Sequence, residues 1–249
     1  MTNIPATAII FTHIADTRFE RALRSVQQFA EVLVFDNGSK NTWHLLEKKY
    51  TFTRSNLGST RIKNFAAARN NALQKATYEW VFFLDSDEEL LPNNPKLLRD
   101  LLTTNNNQAY TVTRSDFFLG KTLQYGESGT QSITRLVRKD SAVFTGTVHE
   151  VAKVTGTVQS SPLHILHHSH LSISDFIEDV SFYAQIVAKN KKGPQYLLLL
   201  QLLLFPPLKW FYTFFIRLGF LDGYRGLVYS LTMSLHSLLV RIYWYEKTH

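Results

Sequence analysis

The stretch Trp80-Val81-Phe82-Phe83-Leu84-Asp85-Ser86-Asp87-Glu88-Glu89 places a run of apolar residues directly before four acids. An apolar run of this length predicts a buried strand. In open α/β sheets, ligands bind in the crevice beyond the carboxyl ends of the strands. Asp85 and Asp87 would lie there, and such a pair suits a divalent cation, which prefers oxygen ligands. The alternative is a polar turn. In either case we expect Glu88 and Glu89 to begin the next helix, where acids favour the N-terminal dipole.

Strands and helices are predicted to alternate before this stretch. Apolar runs predict strands at residues 6–11, 31–35 and 50–53. Helical spacing and capping residues predict helices from residue 16 to about 29, from 41 to 49 and from 64 to 76. Three strand–helix alternations before a fourth strand are typical of a parallel sheet covered by helices. The fold class is therefore α/β, with a mixed, mainly parallel sheet.

A second acid, Asp36, follows the second predicted strand in the turn Asp36-Asn37-Gly38-Ser39. Neighbouring parallel strands would bring Asp36 and the pair Asp85/Asp87 to one edge of the sheet. This arrangement suits a nucleotide diphosphate, with one carboxylate at the base or ribose and the pair at a metal. No GxGxxG follows the first strand and no GxxxxGK[ST] occurs, so the dinucleotide and P-loop alternatives are excluded.

Composition limits the classes of protein further. The 249 residues are 45% hydrophobic, with 18 Phe and 11 Tyr, and the net charge is +7. A basic balance alone is compatible with nucleic acid, anionic lipid or phosphorylated substrates. No motif interleaves basic and aromatic residues, so we expect no nucleic-acid partner.

The absence of cysteine excludes disulfides, zinc–thiolate sites and cysteine nucleophiles. The first residues lack the features of a secretory signal, which predicts an intracellular protein.

Several segments in order give the chain a family resemblance. They are VLVFDNGS at residues 32–39, SNLG at 55–58, FAAARNNAL at 65–73 and WVFFLDSDEEL at 80–90. Together they resemble the glycosyltransferase family 2 enzymes with the GT-A fold. The spacing of RNNAL and DSDE, GTVHE at 146–150 and GFLDG at 219–223 are similar to the bacterial lipopolysaccharide-core WaaE/KdtX-type β-glucosyltransferase branch.

The resemblance implies an activity and a set of site residues. The protein would be an inverting transferase that moves a sugar from a nucleotide-sugar donor, UDP-hexose, to a glycan or lipid-linked acceptor in lipopolysaccharide synthesis. Asp87, with Asp85, would hold Mg²⁺ or Mn²⁺. Thr12, Asp36, Arg69 and Asp85 would frame the nucleotide.

The resemblance also implies a catalytic base, which raises the nucleophilicity of the acceptor hydroxyl. We expect this base to be Glu150 in Gly146-Thr147-Val148-His149-Glu150. A surface role for Glu150 is the alternative, and Asp116 is the rival base. His149 can serve the same site as Glu150 only if the segment is a loop, because neighbours on a strand face opposite ways.

Two further groups of residues keep alternative interpretations. Arg135 and Arg138 lie in a predicted strand, where they either bind the diphosphate or an anionic acceptor or form a solvated basic edge. The histidines from His164 to His170 could suggest a metal site. A strand or loop closing the domain, with one histidine lining the active site, explains them better.

The chain from residue 193 onwards is rich in leucine and aromatic residues. We expect a GT-A domain at 1–192, with a nucleotide half at 1–91 and an acceptor half at 92–192, followed by hydrophobic helices at 193–249. Pro206 and Pro207 should break the apolar run, so we expect no spanning helix. Aromatics mixed with Lys and Arg suit a membrane interface, which predicts a peripheral protein on the cytoplasmic face of the inner membrane. Packing on the core or on a dimer partner is the alternative.

Two other functions compete with sugar transfer. A sugar-nucleotide pyrophosphorylase would require a glycine-rich loop after the first strand, and that loop is missing. A non-catalytic, membrane-recruited nucleotide-sugar-binding protein would not require both the Asp-x-Asp pair and the later His149-Glu150.

Overall fold

The computed structural model describes residues 3–13, 16–40, 42–58, 62, 64–92, 95–103, 106–146, 151–170, 172–191 and 195–248. The strands are β1 (Ile4–Thr12), β2 (Phe29–Asp36), β3 (Thr53–Asn56), β4 (Trp80–Asp85), β5 (Glu88–Leu90), β6 (Asn107–Phe118), β7 (Lys121–Thr122), β8 (Gln131–Arg138), β9 (Ala142–Thr145), β10 (Val151–Val154) and β11 (Thr157–His167). The helices are α1 (Thr17–Ser25), α2 (Trp43–Lys49), α3 (Phe65–Lys75), α4 (Pro95–Thr103), α5 (Ile173–Asn190), α6 (Leu198–Phe211) and α7 (Tyr224–Thr248).

The main sheet is mixed, with the strand order β3-β2-β1-β4-β8-β6-β11-β5 and β7 attached to β6. The four strands β3, β2, β1 and β4 are parallel, whereas β8 pairs antiparallel with both β4 and β6. A separate antiparallel hairpin is formed by β9 and β10. This sheet, flanked by helices, confirms the predicted α/β fold class.

Both faces of β4 are buried, and successive side chains of a strand point to opposite faces of the sheet. Phe82 and Leu84 of β4 belong to a core that includes residues of α1 and α4. Val81 and Phe83 belong to a second core that includes residues of α3. This double burial explains why β4 appears in the sequence as an uninterrupted apolar run.

Two predicted boundaries in the first half were wrong. The first helix ends at Ser25 rather than near Phe29, because Phe29 begins β2 and pairs with Ile4. The third strand begins at Thr53 rather than at Tyr50. The backbone N–H of Tyr50 still closes α2 by donating to Leu46, so Tyr50 is not free to join the sheet.

The prediction that Glu88 and Glu89 begin a helix was also wrong. Both residues lie in β5, which pairs antiparallel with β11, and α4 begins only at Pro95. The Glu88 carboxylate turns back and accepts a hydrogen bond from the backbone N–H of Asp85 at 3.1 Å. Glu88 and Leu90 are buried whereas Glu89 is half-buried, and this alternation along β5 favours a strand.

The chain forms two compact units. The first contains Met1–Arg114 and Gln131–His167, and the second contains Ser115–Thr130 and His168–His249. The predicted division after residue 192 stays a prediction. In the second unit, Phe118, Phe176 and Val180 form a small core with Leu123. The buried Asp222 carboxylate accepts backbone hydrogen bonds from Gln124 and Tyr125.

The expectation that Pro206 and Pro207 break the apolar run was wrong. Both prolines lie inside α6, and a π-helical turn (Tyr212–Ile216) continues it. Contacts with α7 oppose the break: Leu198 packs with Trp244, and the Ser234 hydroxyl donates to the Pro206 carbonyl at 2.6 Å. Among the described residues, Leu198–Ile216 is the one helical segment that is long and apolar enough to cross a membrane, as judged by length and composition.

Candidate active site

The carboxyl ends of β1, β2 and β4 lie side by side at one edge of the sheet. Thr12 at the end of β1 pairs with Asp36 of β2, and Phe11 pairs with Asp85 of β4. The predicted meeting of the two acidic strand ends at one edge is therefore confirmed.

A cavity of about 290 Å³ opens at this edge. It is lined by Phe11, Thr12, His13, Asn37, Ile62, Phe65, Arg69, Asp85, Ser86, Asp87 and His167. Four of the predicted site residues therefore share one cavity: Thr12, Arg69, Asp85 and Asp87. Because β4 ends at Asp85, the strand positions both acids at the mouth of the sheet.

The fifth predicted residue, Asp36, is buried and is not among the residues that line this cavity. Its carboxylate accepts hydrogen bonds from the backbone N–H of Ser39 at 2.9 Å and from the Ser39 hydroxyl at 2.7 Å. Asp36 thus stabilises its own turn, and the next residue, Asn37, lines the cavity instead.

Asp85 is paired with two arginines. Its Oδ1 lies 2.8 Å from Arg69 Nη2, and its Oδ2 lies 2.5 Å from Arg135 Nη2. Desolvation alone would raise the pKa of the Asp85 carboxyl, but the positive charges of Arg135 and Arg69 hold that pKa well below its usual range. Asp85 is therefore ionised, and its charge is balanced by protein groups.

Glu88 joins the same network from the buried side. Its carboxylate lies 2.6 Å from Arg135 Nη2 and accepts a hydrogen bond from Arg114 Nε at 2.9 Å. The Glu88 side chain is fully buried. This role of Glu88 was not predicted from the sequence, where its signal is its place directly after the Asp-x-Asp pair.

Asp87 is paired with a histidine that lies far away in the sequence. Its Oδ2 lies 3.4 Å from His167 Nε2, because β11 pairs with β5 and sets His167 opposite Glu88. Desolvation acts to raise the pKa of Asp87, but the hydrogen bond and charge of His167 outweigh it, so this pKa lies below its usual value. His167 is thus the member of the histidine cluster that lines the cavity.

The other histidines described in this cluster have different surroundings. In the second unit, the His170 ring stacks on Phe176 with centroids 4.0 Å apart, and His168 packs against Phe117. Within the described part of the chain, no group of three or more His, Asp or Glu side chains is arranged to hold a metal ion.

Asp87 and His167 nevertheless fit a cation that also binds a diphosphate. Mg²⁺ at such sites uses one or two carboxylates, with phosphate and water oxygens as the remaining ligands. The Asp87 side chain is 32% exposed and faces the cavity together with His167. Asp85 fits less well, because both of its oxygens already bind arginines.

A second cavity of about 560 Å³ lies in the same unit and shares Arg69 and Asp85 with the first. Its other lining residues are Arg114, Ser132, Ile133, Thr134, Arg135, Phe144, Val151 and Ala152. Arg135 lines this cavity and forms ion pairs with Asp85 and Glu88. Arg138 instead pairs with Glu79 and lies over the Trp80 ring.

The predicted base, Glu150, and its neighbour His149 lie outside the described residues. Val151, the next residue in the chain, lines the second cavity. The rival base, Asp116, belongs to the second compact unit.

Asn70 anchors the wall of the second cavity, a role that was not predicted from the sequence. Its side-chain amide donates to the Phe144 carbonyl at 2.9 Å and accepts from the Phe144 N–H at 2.8 Å. Phe144 packs edge-on against Phe83 of β4. This double hydrogen bond fixes β9, the strand that precedes the segment containing Glu150.

Two relatives resemble the chain in sequence. An uncharacterized glycosyltransferase of Rickettsia prowazekii is 25% identical over 249 residues, covering 92% of this chain and 82% of the relative. A TPR repeat-containing protein of Synechococcus elongatus is 33% identical over 102 residues, covering 41% of this chain and 25% of the relative.

Solved structures also resemble the chain. S. aureus TarS 1-349 in complex with UDP is 16% identical, with a TM-score of 0.45, and the match covers 98% of this chain and 92% of TarS 1-349. A mannosyltransferase from Pyrobaculum calidifontis in complex with GDP-Man and Mn²⁺ is 14% identical, with a TM-score of 0.47, covering 97% and 74%. The family model described as glycosyl transferase family 2 matches residues 7–157, which is more than half of the chain. The protein belongs to glycosyl transferase family 2.

Proposed function

We propose that this member of family 2 is an inverting, metal-dependent glycosyltransferase that moves a hexose from a UDP-linked donor to a glycan or lipid-linked acceptor. The observation that carries the proposal is the pair of cavities that share Arg69 and Asp85. A transferase must hold two substrates with their reacting atoms adjacent, and two cavities with a common wall provide that arrangement.

The first cavity is proposed to bind the donor. Thr12 and Asn37 stand at the ends of neighbouring parallel strands, where nucleotides bind in α/β sheets. Asp36 would support the base or ribose indirectly, through the turn that it stabilises. Arg69 would stabilise the donor diphosphate if it exchanged its contact with Asp85 for a phosphate oxygen, since guanidinium groups bind phosphates by forked hydrogen bonds.

Asp87 and His167 are the residues proposed to hold Mg²⁺ or Mn²⁺, with Asp85 nearby at the ribose. A cation bound there would neutralise the charge that builds on the leaving diphosphate. Asp87 supplies the negative charge, and its lowered pKa keeps it ionised. Glu88 and Arg135 keep Asp85 fixed, so the two acids of the motif have different tasks.

The second cavity is proposed to bind the acceptor, and Glu150 is proposed as the base that takes the acceptor proton. Support comes from Val151, which follows Glu150 and lines this cavity. The acceptor hydroxyl would attack the anomeric carbon from the face opposite the diphosphate, which would leave with the nucleoside. This single displacement would invert the configuration at the anomeric carbon, through an oxocarbenium-like transition state.

The cellular setting is proposed to be lipopolysaccharide or cell-surface polysaccharide synthesis, as in the WaaE/KdtX-type branch that the sequence resembles. The protein would act as a peripheral protein on the cytoplasmic face of the inner membrane. Exposed leucines of α6 support this location.

Donor hydrolysis tests the proposal. The purified chain is incubated with a panel of UDP- and GDP-linked sugars and Mg²⁺ or Mn²⁺, and released nucleoside diphosphate is measured. We expect one UDP-hexose to be hydrolysed only with metal present. The Asp87→Asn variant should lose this activity, whereas Asp140→Asn, which changes an exposed acid, should retain it.

Three results would contradict the proposal. Full activity of Asp87→Asn without metal would exclude the metal mechanism. Binding of a donor with no turnover would favour the non-catalytic alternative. Formation of a nucleotide sugar from a sugar phosphate and UTP would favour a pyrophosphorylase.

A further inference from the structure

The exposed side of α6 is apolar throughout, unlike the exposed side of a helix in a water-soluble protein. Every exposed residue of α6 is Leu, Phe or Pro, with Leu199 at 70% and Leu203 at 64% exposure. The two polar residues of the helix, Gln201 and Lys209, lie on less exposed positions. In surface helices of soluble proteins the apolar side faces the core instead.

Polar contacts on the inward side hold the helix in this orientation. Lys209 Nζ lies 2.8 Å from Glu127 Oε1, and the Ser234 hydroxyl of α7 donates to the Pro206 carbonyl of α6 at 2.6 Å. Thr213 is buried, as are Ser230 and Thr232 of α7. Rotating the helix to hide its leucines would expose apolar side chains of the other face and break the Lys209–Glu127 ion pair.

The apolar surface continues beyond α6. Exposed side chains follow along the chain at Tyr212, Phe215, Ile216, Leu218, Phe220, Leu221 and Tyr224. An exposed surface made of this many large apolar side chains marks an interaction site.

Charge identifies the partner. Between Gln195 and Leu227 the single acid is Asp222, which is buried and binds backbone N–H groups. The cation Arg217 is exposed in the same stretch, and the whole chain carries a net charge of +7. A surface of leucine and aromatic side chains with an exposed cation and no exposed acid complements an anionic lipid bilayer.

We infer that α6 and the following π-helical turn bind an anionic bilayer with the helix axis in the membrane plane and the exposed leucines among the acyl chains. This inference rests on the membrane location in the proposed function and deepens it. The position of Lys209 favours a helix that lies in the membrane plane over a helix that spans the membrane. Lys209 stands in the middle of Leu198–Ile216, so a spanning helix would carry the Lys209–Glu127 pair, and with it the loop of Glu127, into the hydrocarbon.

Vesicle flotation with the full chain, in the absence of donor, tests the inference. Vesicles of phosphatidylcholine alone are compared with vesicles that contain phosphatidylglycerol. The double variant Leu203→Gln/Leu208→Gln changes two exposed side chains of α6. We expect wild type to prefer the anionic vesicles, and the double variant to bind them about tenfold less tightly or worse, because two apolar side chains no longer enter the lipid.

The matched control is Leu45→Gln/Val158→Gln, which changes two exposed apolar side chains of the first compact unit and should bind like wild type. Equal binding of the α6 variant and wild type would overturn the inference, as would a lack of preference for anionic vesicles. A wild-type dimer in vesicle-free solution that Leu203→Gln/Leu208→Gln converts to a monomer would also overturn it, because a second copy would then cover the face.

Depth measurements separate the in-plane from the spanning arrangement. The chain has no cysteine, so Leu199→Cys and Ile216→Cys each introduce a unique site for an environment-sensitive dye. Equal, shallow quenching by lipid-borne quenchers at both positions is expected, whereas accessibility from opposite sides of the vesicle would contradict the in-plane arrangement. A chain that binds vesicles but hydrolyses no donor would contradict the proposed activity alone. A chain that hydrolyses a donor but binds no vesicles would contradict this inference alone.

Discussion

Arg135 Nη2 lies 2.6 Å from one Glu88 carboxylate oxygen and 2.7 Å from the other, and both side chains are buried. The same nitrogen lies 2.5 Å from Asp85. Glu88 therefore holds the arginine that holds the first acid of the Asp-x-Asp pair. The geometry of the motif depends on a residue just outside it.

Glu88→Gln should destabilise the protein strongly. The amide removes a buried negative charge between Arg135 and Arg114, and a buried ion pair that loses one partner costs about 3–5 kcal/mol. Urea unfolding measures the loss. The matched control is Glu79→Gln, which breaks the exposed pair with Arg138 and should cost less than about 1 kcal/mol. Similar losses in the two variants would show that the network contributes little.

Asp87→Asn and Asp85→Asn should affect metal binding differently. Asp85 already binds two arginines, whereas Asp87 faces the cavity with His167. We therefore expect Asp87→Asn to weaken Mn²⁺ binding, measured by electron paramagnetic resonance with UDP present, far more than Asp85→Asn does. Asp85→Asn should instead lower the free energy of unfolding, because it leaves Arg69 and Arg135 with less counter-charge. A larger metal defect in Asp85→Asn would reverse the assignment.

Glu31 should make stability depend on pH. Its carboxylate accepts hydrogen bonds from the Thr7 hydroxyl at 2.6 Å and from the Thr77 N–H at 2.8 Å. Desolvation acts to raise the pKa of Glu31, but these bonds lower it below its usual 4.5. Because the folded-state pKa is the lower one, the stabilisation is present above about pH 4.5 and is lost as the pH falls through the folded-state pKa.

The measurement compares wild type with Glu31→Gln by thermal unfolding across pH. We expect the variant to be less stable by about 1–2 kcal/mol near pH 6, with the difference shrinking toward pH 3. A difference that is constant with pH would mean that the ionised carboxylate is not the stabilising group.

Gly226→Ala should be severely destabilising. A Cβ at this position would lie 1.9 Å from the Gly219 carbonyl oxygen, which is backbone and cannot rotate away. Overpacking of this kind costs about 1–3 kcal/mol or more. Leu231→Ala, an exposed position on the same helix, is the control and should unfold nearly like wild type. Wild-type stability of Gly226→Ala would show that the helix start shifts freely.

The parallel half of the sheet was predictable because its signals are local. The apolar run of β4 is buried on both faces, and the periodicity of each helix is contained within it. The role of Glu88 was not predictable, because its partners Arg114 and Arg135 lie 26 and 47 residues away in the sequence. His167 likewise reaches Asp87 only through the pairing of β5 with β11.

The tail illustrates the opposite failure. Two prolines are a strong local signal for a break, yet α6 continues through them because α7 packs along it. Composition correctly indicated an apolar tail. That the exposed side of α6 carries leucines could be seen only once it was known which side of the helix faces α7.

The path of the chain through the two compact units has a practical consequence. The chain leaves the first unit after Arg114, returns at Gln131 and leaves again after His167. A protein shortened before Asp222 would keep residues 115–130 but lose the carboxylate that binds the backbone of Gln124 and Tyr125. Deleting the tail would therefore leave part of the second unit without its partners. Because α6 is proposed to bind lipid, a form of the protein that stays in free solution is better obtained by replacing the exposed leucines of α6 and leaving the chain whole.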